Sequence, residues 1–147
     1  MREQAEQRAL NNVKRFGYHI VQIPAEGEWP QVTYSIGLHA TTGQPDAMVI
    51  GLKDKLAEMV IDSYCRQCQD GKSYEPGEFY DNFLGGFQVA FVKVFRQHYK
   101  NYLKWGIWFN QGEDFPMLQM VYPTTTGVWP WDEEGPEGFA HHEPLLG

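Results

Sequence analysis

Gln31-Val32-Thr33-Tyr34-Ser35-Ile36-Gly37-Leu38 alternates apolar with small or polar side chains. Val32, Tyr34, Ile36 and Leu38 fall on one side of an extended chain and Thr33, Ser35 and Gly37 on the other, which predicts a half-buried strand. A loop from His39 to Asp46 follows, rich in turn formers (Thr41, Thr42, Gly43, Pro45). Ala47 to Leu52 is apolar apart from Gly51. It is too short for a stable helix and carries β-branched Val49 and Ile50, so it reads as a buried central strand. Upstream, Tyr18 to Ile23 is a third extended run, stopped by Pro24. Three strands in such close succession predict an antiparallel meander.

Moving outward, Glu3 to Phe16 places Ala5, Ala9, Leu10, Val13 and Phe16 at helical spacing, and Gly17 follows where a helix commonly ends. Asp54 is a candidate N-cap for a second helix reaching Gln69. Its buried face would hold Leu56, Met59, Val60, Tyr64, Cys65 and Cys68, with Gly71 as terminator. Lys72 to Gly86, with Pro76 and several glycines, predicts an irregular loop packed through Phe79, Tyr80 and Phe83. Phe87 to Phe95 is the clearest strand, covered on both faces. Arg96 to Phe109 predicts one helix interrupted at Gly106, Pro116 to Tyr122 a strand, and Val128 to Trp131 a last strand after a turn. The fold class is α+β: a mostly antiparallel sheet of about six strands with two to three helices packed on it, an open sheet with helices on one face being preferred over a partly closed barrel. Residues 1–132 form a single domain and 133–147 an acidic, flexible tail.

Charge is distributed unevenly. The 147 residues hold 12 Lys and Arg against 19 Asp and Glu, a net charge of -7. No Lys or Arg follows Lys104, while Glu113, Asp114, Asp132, Glu133, Glu134, Glu137 and Glu143 supply the whole excess. A balanced body with an acidic end offers no basic face for phosphates, which argues against a nucleic-acid partner. No run approaches the roughly 20 apolar residues that span a bilayer, and the polar first 16 residues are unlike a secretory signal. The expectation is a soluble cytoplasmic protein without membrane contact. Two cysteines three positions apart do not make a disulfide framework.

Five segments occur in order: Gly17-Tyr18-His19-Ile20-Val21; Tyr34-Ser35-Ile36-Gly37-Leu38; Pro45 followed by Met48-Val49-Ile50-Gly51-Leu52; Gln119-Met120-Val121-Tyr122-Pro123; and Gly127-Val128-Trp129-Pro130-Trp131. Over roughly residues 12–132 the chain resembles a bacterial family known as domain of unknown function 4262. The resemblance implies one small domain of bacterial or phage origin and hands over no catalytic residue.

Several residue groups invite a chemical reading. Cys65 and Cys68 have the spacing of redox and zinc pairs. They lie at a helix C-terminus, where the dipole disfavours a thiolate, and no second pair accompanies them, so burial on a helix face is the default. His141 and His142 lie in the tail, without a rigid frame for a metal. Ser35 and Gly37 give a small-residue surface at the end of the 31–38 strand, where Tyr34 and His39 could meet a ligand; His39, with an ordinary pKa near ~6.5, could serve as a base. A triad of Ser35, His39 or His98, and Asp46 can be written on paper, although no nucleophile elbow is present. Trp129-Pro130-Trp131 places two indoles on one side of an extended segment beside Asp132, Glu133 and Glu134, as a cationic or protein partner would require.

Two functions follow. The first is a non-enzymatic, immunity-type module that neutralises a basic, toxin-like protein through its acidic aromatic C-terminal surface, with Trp108, Trp129, Trp131, Asp132, Glu133 and Glu134 in contact. The second is a small-molecule or cofactor cleft, with or without enzymatic activity, between strand 31–38 and the aromatic C-terminal segment, using Tyr34, Ser35, His39 and Gln119. No catalytic residue, metal ligand or specific cofactor is assigned.

Overall fold

The computed structural model describes residues 2–124, 129–132 and 144–147. Its elements are α1 (Arg2–Phe16), β1 (His19–Ile23), β2 (Val32–Ile36), α2 (Leu38–Thr42), β3 (Asp46–Ile50), α3 (Asp54–Gln69), β4 (Phe79–Leu84), β5 (Phe87–Lys93), a 3-10 turn (Arg96–His98), α4 (Tyr99–Tyr102), α5 (Lys104–Asn110) and β6 (Met117–Val121). They build an α+β fold on one six-stranded sheet of order β1-β2-β3-β6-β5-β4. β1, β2 and β3 form the antiparallel meander read from the sequence, with Ile20 opposite Ser35 and Thr33 opposite Val49. β4, β5 and β6 form a second one. A single parallel pairing of β3 with β6 joins them at the centre, Ala47 opposite Leu118.

The alternation of the strands sorts their side chains into two cores. On one face α3 lays Ala57, Val60, Ile61, Tyr64, Cys65 and Cys68 against Ala47, Val49, Val89, Phe91, Leu118 and Met120. On the other, Tyr34, Ile36, Met48, Ile50 and Met117 pack with Ala9 of α1, Tyr99 of α4, Leu103 and Phe115. Both faces of the sheet are therefore covered. This corrects the expectation of helices on one face only and of a half-buried 31–38 strand: β2 is buried at all five positions. Thr33 and Ser35 thus lie beneath α3 as buried polar groups.

Helix α1 closes on Gly17, whose φ of 92° suits a residue without Cβ. Gly37 likewise has φ 86°, and a Cβ there would sit 2.6 Å from a Val13 methyl, so α1 approaches the β2–α2 corner as closely as it does only because of that glycine.

Other expectations change. The 39–46 loop contains the short helix α2, whose first amides are capped from Asp46 rather than by a preceding side chain. The sixth strand is β4, inside the stretch read as a loop, whereas Trp129 to Asp132 is a turn. The 96–109 helix is broken at Leu103 (φ -122°, ψ 42°) and not at Gly106, which lies inside α5 beneath Phe115. Lys53, not Asp54, occupies the N-cap of α3, and Leu56 and Met59 face outward because the buried stripe runs through Ala57 and Ile61. Finally, residues 144–147 are docked: Leu146 is buried among Tyr34, Val94, Tyr99 and Met117.

Candidate functional site

Ser35, His39 and Asp46 do come together, but in a different arrangement from a triad. Ser35 Oγ donates to Asp46 Oδ1 at 2.7 Å and accepts from Ala47 N at 3.2 Å. Asp46 also accepts from the backbone of Leu38 (3.0 Å) and His39 (3.2 Å). The His39 ring turns away, its Nδ1 3.2 Å from the Gly43 carbonyl oxygen. His98 lies apart, edge-on to Tyr102. A triad needs an imidazole at the hydroxyl of its nucleophile, and here the hydroxyl meets instead a buried carboxylate that accepts three hydrogen bonds. The group does structural chemistry: it ties β2, β3 and α2 into one corner. Burial pushes the Asp46 carboxyl up to about 6, against the opposing pull of Ser35 and the two amides.

Cys65 and Cys68 are both buried and free. Burial raises both thiols, and for Cys65 the nearby Asp46 adds to the effect, so the protonated thiol is favoured as the dipole argument predicts. Among the described residues, no three His, Cys, Asp or Glu side chains converge to hold a metal ion, and no helix is long and apolar enough to cross a membrane. His141 and His142 fall outside the described residues.

Gln119, expected at a ligand site, has both ends of its amide bonded within the fold. Nε2 donates to the Pro144 carbonyl (2.7 Å) and Oε1 accepts from Leu146 N (2.8 Å), so this buried side chain holds the last residues of the chain against the sheet. Trp108 is half-buried on α5, edge-on to Trp105 at 5.3 Å.

Trp129, Trp131 and Asp132 form a compact surface turn. Trp129 N donates to Asp132 Oδ2 (2.8 Å) and Asp132 N to Trp129 O (3.0 Å), closing the loop through Pro130. The closure stacks the two indoles face to face, centroids 5.0 Å apart and planes 4° from parallel. Phe79 of β4 meets Trp129 edge-on at 5.3 Å. Trp131 remains 44% exposed and Phe79 49%. β4 is the edge strand of the sheet among the described residues, so this aromatic platform borders the sheet edge. Glu133 and Glu134 lie outside the described residues.

A second aromatic feature was not read from the sequence. Trp29, held at a two-residue turn by reciprocal 2.9 Å bonds with Glu26, faces Tyr102 at a centroid distance of 5.3 Å. With Trp105 they wall a cleft of about 410 Å³ floored by Val32 and Tyr34. The signal was present: a tryptophan between Pro24 and Pro30 in an otherwise polar loop has no strand or helix to bury it. Tyr34, one of the expected site residues, is fully buried beneath the cleft, and its hydroxyl accepts from Trp105 N at 3.0 Å, pinning α5 to β2. Tyr34→Phe should loosen that junction at a cost of about 1 kcal/mol, read as a lower urea midpoint with an unchanged slope.

His39 lines a separate cavity of about 470 Å³ with Arg96, Tyr99 and Asp114. A third, polar hollow lies where β1 meets α3. There Tyr18 donates to Asp62, Asp62 pairs with Arg66 at 2.8 Å and Asn12 bonds His19 at 2.9 Å. Burial, reinforced by Asp62, pushes the Tyr18 hydroxyl up to about 12, which keeps it protonated and makes it a poor acid, and burial together with Arg8 lowers His19.

A family model described as a domain of unknown function (DUF4262) matches residues 12–136. Neither a comparison with curated proteins nor one with solved structures returned a match. The matched span takes in every strand of the sheet, the buried Ser35–Asp46 corner and the Trp129–Asp132 turn, and the chain belongs to the DUF4262 family.

Proposed function

We propose that the protein is a binding module, of the immunity type that neutralises a toxin-like partner, and that it engages a basic protein through the Phe79, Trp129 and Trp131 platform. The observation that carries this reading is the parallel indole stack, fixed by its own backbone turn and exposed at Trp131. Exposed tryptophan is costly to hydrate and becomes favourable when a partner covers it, and tryptophan is enriched among the residues that dominate binding energy. A preformed turn also reduces the entropy lost on binding.

The partner's charge follows from the neighbourhood. Asp132 is exposed beside the stack, and Glu133 and Glu134 come next in the chain. Arg and Lys side chains satisfy both features, stacking on an indole face while pairing with a carboxylate. Such a contact associates quickly at low salt and more slowly as salt rises.

The test is co-expression with the products of neighbouring genes, followed by calorimetry. A one-to-one complex with a basic, growth-inhibiting protein is expected, with growth restored. Trp131→Ala should weaken binding at least tenfold, roughly 1.4 kcal/mol or more, with no change in the folded protein's circular dichroism. If such a partner binds the wild type and the Trp129→Ala/Trp131→Ala double variant equally, the platform is not the contact. If no neighbouring product binds, the reading falls.

A further inference from the structure

We infer that the cleft between the β1–β2 loop and α4–α5 is a binding site for a small planar aromatic molecule that carries an anionic group, such as a phosphate or carboxylate. It lies apart from the Trp129–Trp131 platform and does not depend on the function proposed there.

Three observations converge on this class of ligand. The cleft's volume of about 410 Å³ falls within the range of small-molecule sites, which run from about 300 to 1,000 Å³. Its walls are aromatic: Trp29 and Tyr102 stand 5.3 Å apart with planes 59° from parallel, and Trp105 contributes a third ring. Trp29 is 52% exposed although it is anchored at both ends of its turn, so its ring is held ready beside the opening. A stacking surface that the free protein leaves to water favours a flat ring system.

The charge of the cleft selects among flat molecules. Arg2 and Lys104 both line it, against a single acid, Glu26. The Arg2 guanidinium lies 4.1 Å from the Trp105 ring centroid and is tethered to Glu6 at 2.9 Å, which positions it at the wall. Lys104 is exposed and, among the described residues, makes no ion pair or side-chain hydrogen bond, so its ammonium is available to a ligand. Two cations lining a cleft with stacking rings suit an anion joined to an aromatic plane. The floor is rigid, because the Tyr34 hydroxyl accepts from Trp105 N at 3.0 Å and Val32 is buried, so the site exists before a ligand arrives.

Isothermal titration with flavin mononucleotide and adenosine monophosphate tests the inference, with riboflavin, adenosine and inorganic phosphate as partial probes. At least one of the two nucleotides is expected to bind saturably, at least tenfold more tightly than its uncharged nucleoside and than phosphate alone. Trp29→Ala and Lys104→Gln, both at exposed positions, should each weaken that binding at least fivefold, while Trp131→Ala leaves it unchanged. Rising salt should weaken the nucleotide more than the nucleoside. Absence of binding by both nucleotides overturns the inference. So does equal binding of nucleotide and nucleoside, or binding that neither Trp29→Ala nor Lys104→Gln alters.

Discussion

Replacing Asp46 by Ala is expected to lower the free energy of unfolding by about 2–4 kcal/mol at neutral pH, and by more in mildly acidic solution. The carboxylate takes three donors, from Ser35 Oγ at 2.7 Å, Leu38 N at 3.0 Å and His39 N at 3.2 Å. Ser35 and Leu38 are fully buried. Orphaning their donors costs about 1–3 kcal/mol each, and α2 loses what holds its first turn. Against this stands the charge itself. Raising the carboxyl from 3.8 to about 6 by burial means that the ionised form is disfavoured in the folded protein by about 3 kcal/mol. Alanine removes that burden along with the hydrogen bonds.

The balance shifts with pH. Because the folded-state pKa lies above the unfolded one, the native protein binds a proton between about pH 4 and pH 6 that the unfolded chain does not. The stabilisation this gives is complete below the unfolded value and is lost as pH rises through about 6. The wild type therefore gains from this group on acidification and the Ala variant does not, so their difference widens. Urea unfolding at about pH 7.5 and about pH 4.5 measures it. A difference that narrows in acid would show that the three donors hold the carboxylate more strongly than burial opposes it.

Leu146→Ala should destabilise the protein by about 2–5 kcal/mol, the usual cost of emptying a buried leucine site. Leu146 is 2% exposed, in a core with Tyr34, Val94, Tyr99 and Met117. Its backbone is held on both sides: Leu146 N donates to Gln119 Oε1 at 2.8 Å, and Phe95 N donates to Leu146 O at 2.8 Å. Gly147 beyond it packs directly on the Lys93 carbonyl. The Phe95 amide should be protected from hydrogen exchange in the wild type and exchange freely in the variant, which separates undocking of the segment from a general loss of stability. An unchanged urea midpoint would mean that the segment contributes nothing to the fold. The same contacts change how the aromatic platform is tested. A truncation from Trp129 onward would remove Leu146 from the core as well as the indoles, so substitutions at Trp129 and Trp131 are the clean probe.

Strands whose side chains alternate, or run apolar throughout, were legible from one stretch at a time. β1, β2, β3, β5 and β6 all fall where period and β-branching place them, and α1 and α3 where a 3.6-residue stripe does. β4 was missed because Phe79-Tyr80-Asp81-Asn82-Phe83-Leu84 lacks alternation. As an edge strand it needs only one neighbour, and a shift in register within it breaks the pattern further. α2 was missed because its cap is not the residue before it: Gly37 precedes the helix and Asp46, eight residues after Leu38, supplies the acceptor. Of the expected site residues, exposed Trp131 and Asp132 share one surface turn with half-buried Trp129. Ser35 and Gln119 are consumed by internal hydrogen bonds, and Trp108 is half-buried.

The sequence by itself determined the α+β class, the first meander, the separation of charge and the family, because each is written in local period, composition or ordered motifs. Tertiary structure decided which polar residues are free to act. Ser35, Asp46 and Gln119 are chemically capable side chains, yet each is satisfied by a partner that sequence spacing does not reveal, whether across the β2–β3 pairing or from the end of the chain. Trp29, distant in sequence from Tyr102 and Trp105, walls a cleft with them because α4 and α5 fold back over the β1–β2 loop. Hydrogen-bond satisfaction and ring juxtaposition depend on distances through space, and only the packed fold fixes those.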